Sequence, residues 1–197
     1  HLWLTLTLIL CCGPALACAV DRIPGADVTL DRDNGIDLAL ASRAILVEVN
    51  ARRCEHGLSP LTDNIALAQV SLDHSEWIAK TGTLSHQTTA PGREGLRERL
   101  VASGERYSTG AENIAMIGAY VFGNASFFIE GQCVFRSTVT AEIIPRHTYA
   151  SMAATFVENW MNSPGHRANI LGNGWGRIGV GYAACNGRPL WTQVFAD

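Results

Sequence analysis

Residues 159–171, which read NWMNSPGHRANIL, constrain the fold more than any other stretch of this chain. An apolar periodic segment leads into them and predicts a helix. Ser163-Pro164-Gly165 then interrupts that helix, because proline lacks an N–H and pushes the residue before it out of the α region. His166 is therefore expected just past a helix end, on backbone held by a turn, where a histidine is well placed to face a ligand.

The first 19 residues have the pattern of a secretory signal peptide. Residues 2–10 are almost wholly apolar, and the small residues Ala15 and Ala17 then form an Ala-x-Ala cleavage site. No basic leader precedes the run, so the signal is expected to start further upstream. The run is shorter than the roughly 20 residues that span a bilayer. We therefore expect a secreted or periplasmic protein with no transmembrane helix in the mature chain.

Composition limits the classes of function. An apolar fraction of 47% indicates a globular protein, and the mature length suits one domain with a real core. The net charge is −3, and no group of arginines is dense enough to form a phosphate-binding face. Nucleic-acid binding therefore has no electrostatic support.

Four cysteines remain if cleavage follows Ala17, namely Cys18, Cys54, Cys133 and Cys185. Four exported cysteines suggest disulfides and allow three pairings, whereas cleavage after Ala19 would leave three thiols. Of the three pairings we favour Cys133 with Cys185, only because both lie in the C-terminal half. No pair has the CxxC spacing of a zinc knuckle. An exposed Cys18 would also permit lipoprotein anchoring, although Ala15 stands where a lipobox usually has leucine.

Residues 20–36 are rich in Asp, Gly and Pro and are predicted to form a linker, and residues 37–197 are predicted to form one folded domain. Apolar residues at three- and four-residue steps predict four helices, over about residues 37–56, 63–80, 93–103 and 148–162. Thr62 or Asp63 is the expected cap of the second helix. In the third, the expected inward positions are Leu96, Leu100 and Val101, with arginine and glutamate outward.

Strand patterns occupy the rest of the domain. Residues 116–144 lose helical character and are predicted as one or two strands or an ordered loop. Strands over residues 177–183 and 190–195, joined by an Asn186-Gly187 turn, close the chain. Helices on either side of adjacent strands predict an α+β fold, in which about four helices cover a small, mostly antiparallel sheet.

Three residues are candidates for chemistry, namely His86, Glu112 and His166. Two imidazoles and one carboxylate can hold a divalent ion with one position open, or act as an acid–base set. Each also has a plainer interpretation, because a loop histidine is usually a surface residue and a lone glutamate is usually solvated. His74, inside the second helix, is expected to be structural.

Five motifs follow one another along the chain: TLSH (83–86), GAENIA (110–115), NWMNSPGHRANIL (159–171), GRIGVGYA (176–183) and PLWTQVF (189–195). Together they resemble the CAP superfamily of cysteine-rich secretory proteins, antigen 5 and pathogenesis-related proteins, and most closely its bacterial SCP-like branch. The resemblance implies an α-β-α sandwich with a cleft lined by two histidines and two acidic residues. His86, Glu112 and His166 match three of these positions, and Ser163 stands where animal and plant members have the second glutamate.

The resemblance also implies a range of functions, since family members bind metals, sterols or other lipids and a few are proteases. We expect an exported protein that binds a small hydrophobic or lipid-like ligand in this cleft. Zinc or another divalent cation could bind through the same three residues, more weakly than in a four-residue site. The alternatives are a metal-assisted hydrolase and a structural or adhesive surface protein.

Two further predictions concern the surroundings of the cleft. Asn169 is expected to anchor its loop by side-chain hydrogen bonds to the backbone. Gln193 could reach the cleft, although strand alternation alone does not decide its side. An insertion over about residues 118–147 is rich in aromatic residues, and it is expected either to fill a local core or to form an apolar wall beside the cleft.

Overall fold

A computed structural model describes residues 18, 23–30, 35–116, 120–123, 126–130, 134–185 and 188–197, excluding the side chains of residues 184, 185, 188 and 189. Five helices and six strands lie in this part of the chain. Their order is α1 (Leu38–Glu55), β1 (Thr62–Asp63), α2 (Ile65–Thr81), α3 (Leu96–Ala102), β2 (Gly110–Met116), β3 (Phe127–Glu130), β4 (Val134–Ser137), α4 (Tyr149–Met161), α5 (Pro164–Ile170), β5 (Arg177–Cys185) and β6 (Arg188–Ala196).

Four of the strands form the main sheet in the order β1-β5-β6-β2. The pairs β5–β6 and β6–β2 are antiparallel, and the short β1 runs parallel to β5. The predicted mostly antiparallel sheet is therefore confirmed. The predicted turn residues Asn186 and Gly187 lie outside the described residues. Because β2 is an edge strand, only one of its two edges pairs with another strand, and helices and loops can approach the other edge.

Helices cover both faces of this sheet. On one face, α1 and α4 pack around Trp191 and Phe195 of β6. The alternate residues Val194 and Ala196 face the other side, where they contact α2 and α3. This alternation follows from the two-residue period of a strand. It gives the three layers of the predicted α-β-α sandwich.

The layer formed by α2 lies unusually close to β5. A Cβ added to Gly181 would lie 2.1 Å from the backbone nitrogen of Leu72, and one added to Gly179 would lie 2.1 Å from that of Ala68. The hydroxyl of Ser71 donates to the carbonyl of Gly179 at 3.0 Å, and the hydroxyl of Ser75 donates to the carbonyl of Gly181 at 3.2 Å. The absence of a side chain at Gly179 and Gly181 therefore sets the position of α2 on the sheet.

The cap of α1 agrees with the prediction, whereas the cap of α2 differs from it. Asp37 caps α1 and accepts a hydrogen bond from the backbone nitrogen of Leu40, as the predicted start at residue 37 requires. The cap of α2 is Asn64, so the expectation of Thr62 or Asp63 is wrong. The reason is that Thr62 and Asp63 pair with β5 and are held in an extended conformation.

The segment around His166 also differs from expectation. Proline does end α4, but Pro164 then begins a second helix, α5, with Ser163 at its N-cap. Proline is favoured at the first helical position, where no intrahelical partner exists for an N–H. His166 therefore lies within the first turn of a short helix, where the sequence predicts a loop.

Residues 23–30, within the predicted linker, lie against the domain. Ala26 and Leu30 are buried with the core of α1 and α4, and Thr29 forms a β-bridge with Thr148. Further upstream, Cys18 forms a disulfide with Cys54 at a sequence separation of 36 residues. The Cys18 sulfur in this bond is not free to carry a lipid.

The favoured pairing of Cys133 with Cys185 remains a prediction. Cys133 and the side chain of Cys185 lie outside the described residues. The Cys18–Cys54 bond is one of the links that exported cysteines were expected to make.

The predicted insertion contains a separate two-stranded hairpin, β3–β4. Four aromatic side chains pack on one another at its base, namely Tyr120, Phe122, Phe127 and Phe135. These ring contacts agree with the local core that was one of the two expectations, although Phe127 is also 44% exposed. Phe128 and Ile129 remain 45% and 64% exposed.

Among the described residues, no helix combines the length and the apolar character that crossing a bilayer requires.

Candidate functional site

Glu112 lies at the centre of the candidate site. It stands on the edge strand β2 opposite Val194, so its side chain faces the α2 side of the sheet. The carboxylate is almost fully buried, with 3% of the side chain exposed. Its Oε2 accepts a hydrogen bond from Nη2 of Arg99 at 2.6 Å, and its Oε1 accepts one from Nδ1 of His86 at 2.9 Å.

Arg99 of α3 is the charge partner of this carboxylate. Its side chain is also only 3% exposed, so the expectation that every arginine of this helix faces solvent is wrong. Nη1 of Arg99 donates to the backbone carbonyl of His86 at 3.2 Å. The guanidinium therefore compensates Glu112 and ties down the loop that carries His86. Val101, expected inward, is instead 64% exposed.

His86 is the exposed member of the cluster, with 51% of its side chain accessible. A carboxylate can only accept, so the bond to Glu112 places a proton on Nδ1. That bond fixes the ring orientation and leaves Nε2 as the nitrogen for a ligand or a proton.

His74 of α2 is the member that sequence reasoning assigned only to the core. Its Nε2 lies 3.5 Å from Oε1 of Glu112, and its side chain is fully buried. Burial lowers the pKa of His74 to about 4, against the opposing effect of the Glu112 charge, and the nearby charges of Arg99 and His86 lower it further. His74 is therefore neutral at pH 7. Its helical spacing from Leu67 and Ile78 on the buried face of α2 was the available signal.

This buried histidine makes stability depend on pH. The unfolded chain takes up a proton at His74 near pH 6.5, whereas the folded chain does so only near pH 4. Stability is therefore expected to fall as the pH drops from about 6.5 towards 4. Urea unfolding of the wild type and His74→Gln at pH 7 and pH 5 measures this effect, and the variant should lose less stability.

Two other histidines keep the stability of the His74→Gln variant partly dependent on pH. Burial lowers the pKa of His147 and of His166 as well, so both act in the same direction. Identical losses for the wild type and His74→Gln between the two pH values would contradict the assignment to His74.

His166 approaches β2 from α5. Its backbone carbonyl accepts a hydrogen bond from Nδ2 of Asn113 at 3.3 Å, and its side chain is half-buried. Burial is the main effect that lowers the pKa of its imidazole, and the charge of His86 lowers this pKa further. The charge of His86 thus acts on His166, which is 80 residues away in sequence, although no described contact joins the two imidazoles.

A network of amides fixes α5 against β2. Nδ2 of Asn169 donates to the Glu112 carbonyl at 3.1 Å and to Oδ1 of Asn113 at 2.8 Å. Asn113 donates in turn to Oε1 of Gln193 at 3.3 Å. Gln193 is fully buried and pairs with Asn113. Because neighbouring residues of a strand point to opposite faces, both side chains lie on the face of the sheet opposite to that of Glu112.

Ser163 remains apart from this network in the described contacts. It is half-buried at the N-cap of α5, and its side chain makes no capping hydrogen bond. Its backbone carbonyl accepts from the amide of Arg167. A serine at this position adds no charge to the cluster.

The donor set does not fit a divalent cation as it stands. Within the described part of the chain, no three histidine, cysteine, aspartate or glutamate side chains are grouped so that they could hold a metal ion. Both carboxylate oxygens of Glu112 already have partners. The expected zinc site at His86, Glu112 and His166 therefore has no support in this geometry.

Two of the cavities in the described part of the chain could take a ligand near the sheet. One, of about 300 Å³, opens beside the cluster and is lined in part by His74, Trp77 and Arg99. The other, of about 470 Å³, lies between α1 and α2 over β5, and Leu46 and Tyr182 are among its lining residues. Glu112, Arg99, His86 and His74 together are called the Glu112 cluster below. Of these two cavities, only the first is lined by members of this cluster.

Comparison with known proteins identifies the fold. A structure of an extracellular protein with an SCP domain from Bacillus anthracis matches 79% of this chain at a TM-score of 0.55 and 23% identity, over 40% of its own length. An outer surface protein of Borrelia burgdorferi matches 82% of the chain at a TM-score of 0.59 and 15% identity, over 96% of its length. At these identities the likeness concerns the fold alone.

Sequence comparison identifies the family. The uncharacterized protein YkwD of Bacillus subtilis is 29% identical over 146 residues, which is 74% of this chain but only 43% of that protein. The family model described as the cysteine-rich secretory protein family, CAP, matches residues 46–195. That match covers most of the chain and contains every member of the Glu112 cluster. The chain therefore belongs to the cysteine-rich secretory protein (CAP) family.

Proposed function

We propose that this chain is an exported CAP-domain protein that binds a small, lipid-like ligand beside the Glu112 cluster. The observation that carries the proposal is the buried Arg99–Glu112 pair, which orients the exposed imidazole of His86. Burying two charges costs several kcal/mol per ion before their attraction compensates. An exposed imidazole that a buried ion pair holds in one orientation is the kind of placed polar group that orients a ligand in its site.

The space beside the cluster suits a small molecule. The adjoining cavity of about 300 Å³ is at the lower end of the usual range for ligand sites. Trp77 supplies an apolar surface in its wall, whereas His74 and Arg99 supply polar groups. This combination favours an amphipathic ligand, with its polar group towards the charged residues that also line the cavity, among them Lys80 and Arg93.

The β3–β4 hairpin supports the lipid-like character of the ligand. Phe127 and Ile129, which share one face of β3, are 44% and 64% exposed, and Phe128 on the other face is 45% exposed. Contiguous apolar side chains on a surface are typical of interaction sites. We propose that this hairpin provides the apolar wall for the ligand or for the surface that delivers it.

Export is supported by two features of the chain. The apolar run at residues 2–10 has the character of a signal peptide. The disulfide between Cys18 and Cys54 forms in oxidising compartments. The Bacillus anthracis and Borrelia burgdorferi proteins of the same fold are described as extracellular and outer surface proteins.

Hydrolysis is the second candidate function. A histidine whose Nδ1 is held by a carboxylate has the orientation of a general base. The Glu112–His86 distance of 2.9 Å favours it, although no nucleophile is in hydrogen-bond contact with this imidazole among the described contacts. A structural or adhesive role is the third candidate and needs neither histidine.

Alanine substitution of His86 and His166 tests the proposal. We expect both variants to fold. His86→Ala should have a lower Tm than the wild type, because it removes a hydrogen bond from the buried Glu112 carboxylate, whereas His166→Ala should keep the wild-type Tm because His166 is only half-buried. We expect each to weaken binding of a fluorescent fatty acid by about tenfold, since one hydrogen bond to a charged group contributes about 1.5–3 kcal/mol. Fluorescence titration at pH 7.5 measures the affinity.

Two control variants locate the ligand. Leu46→Arg places a charge in the α1–α2 cavity, and deletion of residues 123–138 removes the hairpin. The proposal expects Leu46→Arg to bind normally and the deletion to bind weakly while remaining folded. Binding that is lost in Leu46→Arg and unchanged in both histidine variants would move the site to the α1–α2 cavity. Turnover of a peptide or ester that requires His86 would favour the second candidate.

A further inference from the structure

Arg99 stands at the Glu112 carboxylate in the place of a bound cation. Its Nη2 is 2.6 Å from Oε2, and 97% of its side chain is removed from solvent. An arginine keeps its positive charge at every pH that a folded protein meets. The carboxylate is therefore neutralised from within the chain.

Two imidazoles lie beside the carboxylate of Glu112. Nδ1 of His86 and Nε2 of His74 lie 2.9 and 3.5 Å from the same oxygen, Oε1. Among the described residues, and with the guanidinium in place, these side chains do not form a group that could hold a metal ion, and Nδ1 of His86 donates a hydrogen bond to Oε1. Two imidazoles and one carboxylate thus converge, and the group that supplies their positive charge is a guanidinium.

We infer that Arg99 is a built-in cation that replaces a metal ion at Glu112, so that the cluster takes up no divalent cation while Arg99 is in place. The juxtaposition of Arg99 with Glu112, His74 and His86 carries this inference. It concerns the charge at Glu112 and is independent of the ligand proposed above.

Electrostatics explains the exclusion. A divalent ion at Glu112 would place two positive charges next to the buried guanidinium, where repulsion is weakly screened. Displacing the guanidinium would instead leave a buried arginine without its carboxylate, which is strongly unfavourable. Nε of Arg99 is already buried without a hydrogen-bond partner, and the other acceptor of this guanidinium is the neutral backbone carbonyl of His86.

Substitution of Arg99 tests the inference through a gain of binding. The wild type, Arg99→Gln and Arg99→Lys are titrated with Zn²⁺ by calorimetry and with Co²⁺ by visible absorption. We expect Arg99→Gln to bind one ion at least about tenfold more tightly than the wild type, with the absorption of a four-coordinate Co²⁺ centre. Arg99→Lys keeps the positive charge and should exclude the metal as the wild type does.

A charge-balanced variant is the matched control. Arg99→Gln/Glu112→Gln leaves no buried charge unpaired, so it should fold and bind no Co²⁺. Addition of His86→Ala to Arg99→Gln should also abolish the new binding, because one of the nitrogen ligands is removed.

Two results would overturn the inference. One is wild-type Zn²⁺ binding in the micromolar range that is lost in Glu112→Gln. The other is a folded Arg99→Gln that remains as insensitive to metal as the wild type. If Arg99→Gln fails to fold with and without metal, the wild-type and Glu112→Gln titrations still decide, and loss of fatty-acid binding in any variant has no bearing on them.

Discussion

Replacement of Arg99 by leucine is expected to lower the free energy of unfolding by about 3–5 kcal/mol, because it leaves the Glu112 carboxylate buried without its charge partner. For a domain of this size the loss corresponds to a fall in Tm of roughly 6–20 °C. The substitution also removes the donor to the His86 carbonyl. Urea unfolding followed by circular dichroism at pH 7.5 measures the change.

Arg97 provides the matched control on the same helix. Arg97 is exposed, and Arg97→Leu should change stability by no more than about 0.5 kcal/mol. A double-mutant cycle with Glu112→Gln isolates the pair, and the double variant should be more stable than Arg99→Leu alone. Equal losses for Arg97→Leu and Arg99→Leu would contradict the role of the buried pair.

Gly181→Ala is expected to destabilise the protein by more than about 3 kcal/mol, above the usual range for overpacking. The added Cβ would lie 2.1 Å from the backbone nitrogen of Leu72 and 2.2 Å from the carbonyl carbon of Ser71. Backbone atoms within a helix cannot rotate away as a side chain can, so α2 must move off the sheet. His74 moves with it, and the hydrogen bond from Ser75 to the Gly181 carbonyl is stretched.

Gly165→Ala is the control for this substitution. A Cβ at Gly165 meets nothing within 4 Å, and alanine is favoured over glycine inside a helix such as α5. This variant should be as stable as the wild type or slightly more so, by thermal unfolding. A Gly181→Ala variant with wild-type Tm would show that α2 is free to shift on β5.

Local signals in the sequence account for most of the helices. The apolar steps from Leu38 to Val49 and the cap at Asp37 predict α1 to within a residue of its observed bounds. The start of α2 was misplaced, since Thr62 and Asp63 pair with strand β5, more than 110 residues later in the chain. Short strands whose partners are distant leave no periodic pattern to find. Helix α5 was missed because proline was interpreted as a stop, although it also begins helices.

Some residues of the candidate site were predicted from local motifs, and others were found only in the folded structure. His86, Glu112 and His166 stand in short motifs, and the motifs predicted them together. Arg99 and His74 were assigned elsewhere, because a charged residue in an amphipathic helix is normally solvated and a lone helical histidine is normally structural. Their burial depends on each other and on Glu112, and no one of the three sequence segments contains that dependence.

The sequence by itself determined the family and the α+β class, because motifs and periodicity are local properties of the chain, and its motifs predicted the two histidines of the cleft. The tertiary structure alone decided the electrostatics of the site. Arg99, His74 and Glu112 come from α3, α2 and β2, and the close packing of α2 on Gly179 and Gly181 helps to bring them together. A buried carboxylate behaves as a metal ligand or as half of an ion pair according to the charge next to it, and only the folded chain places the guanidinium there.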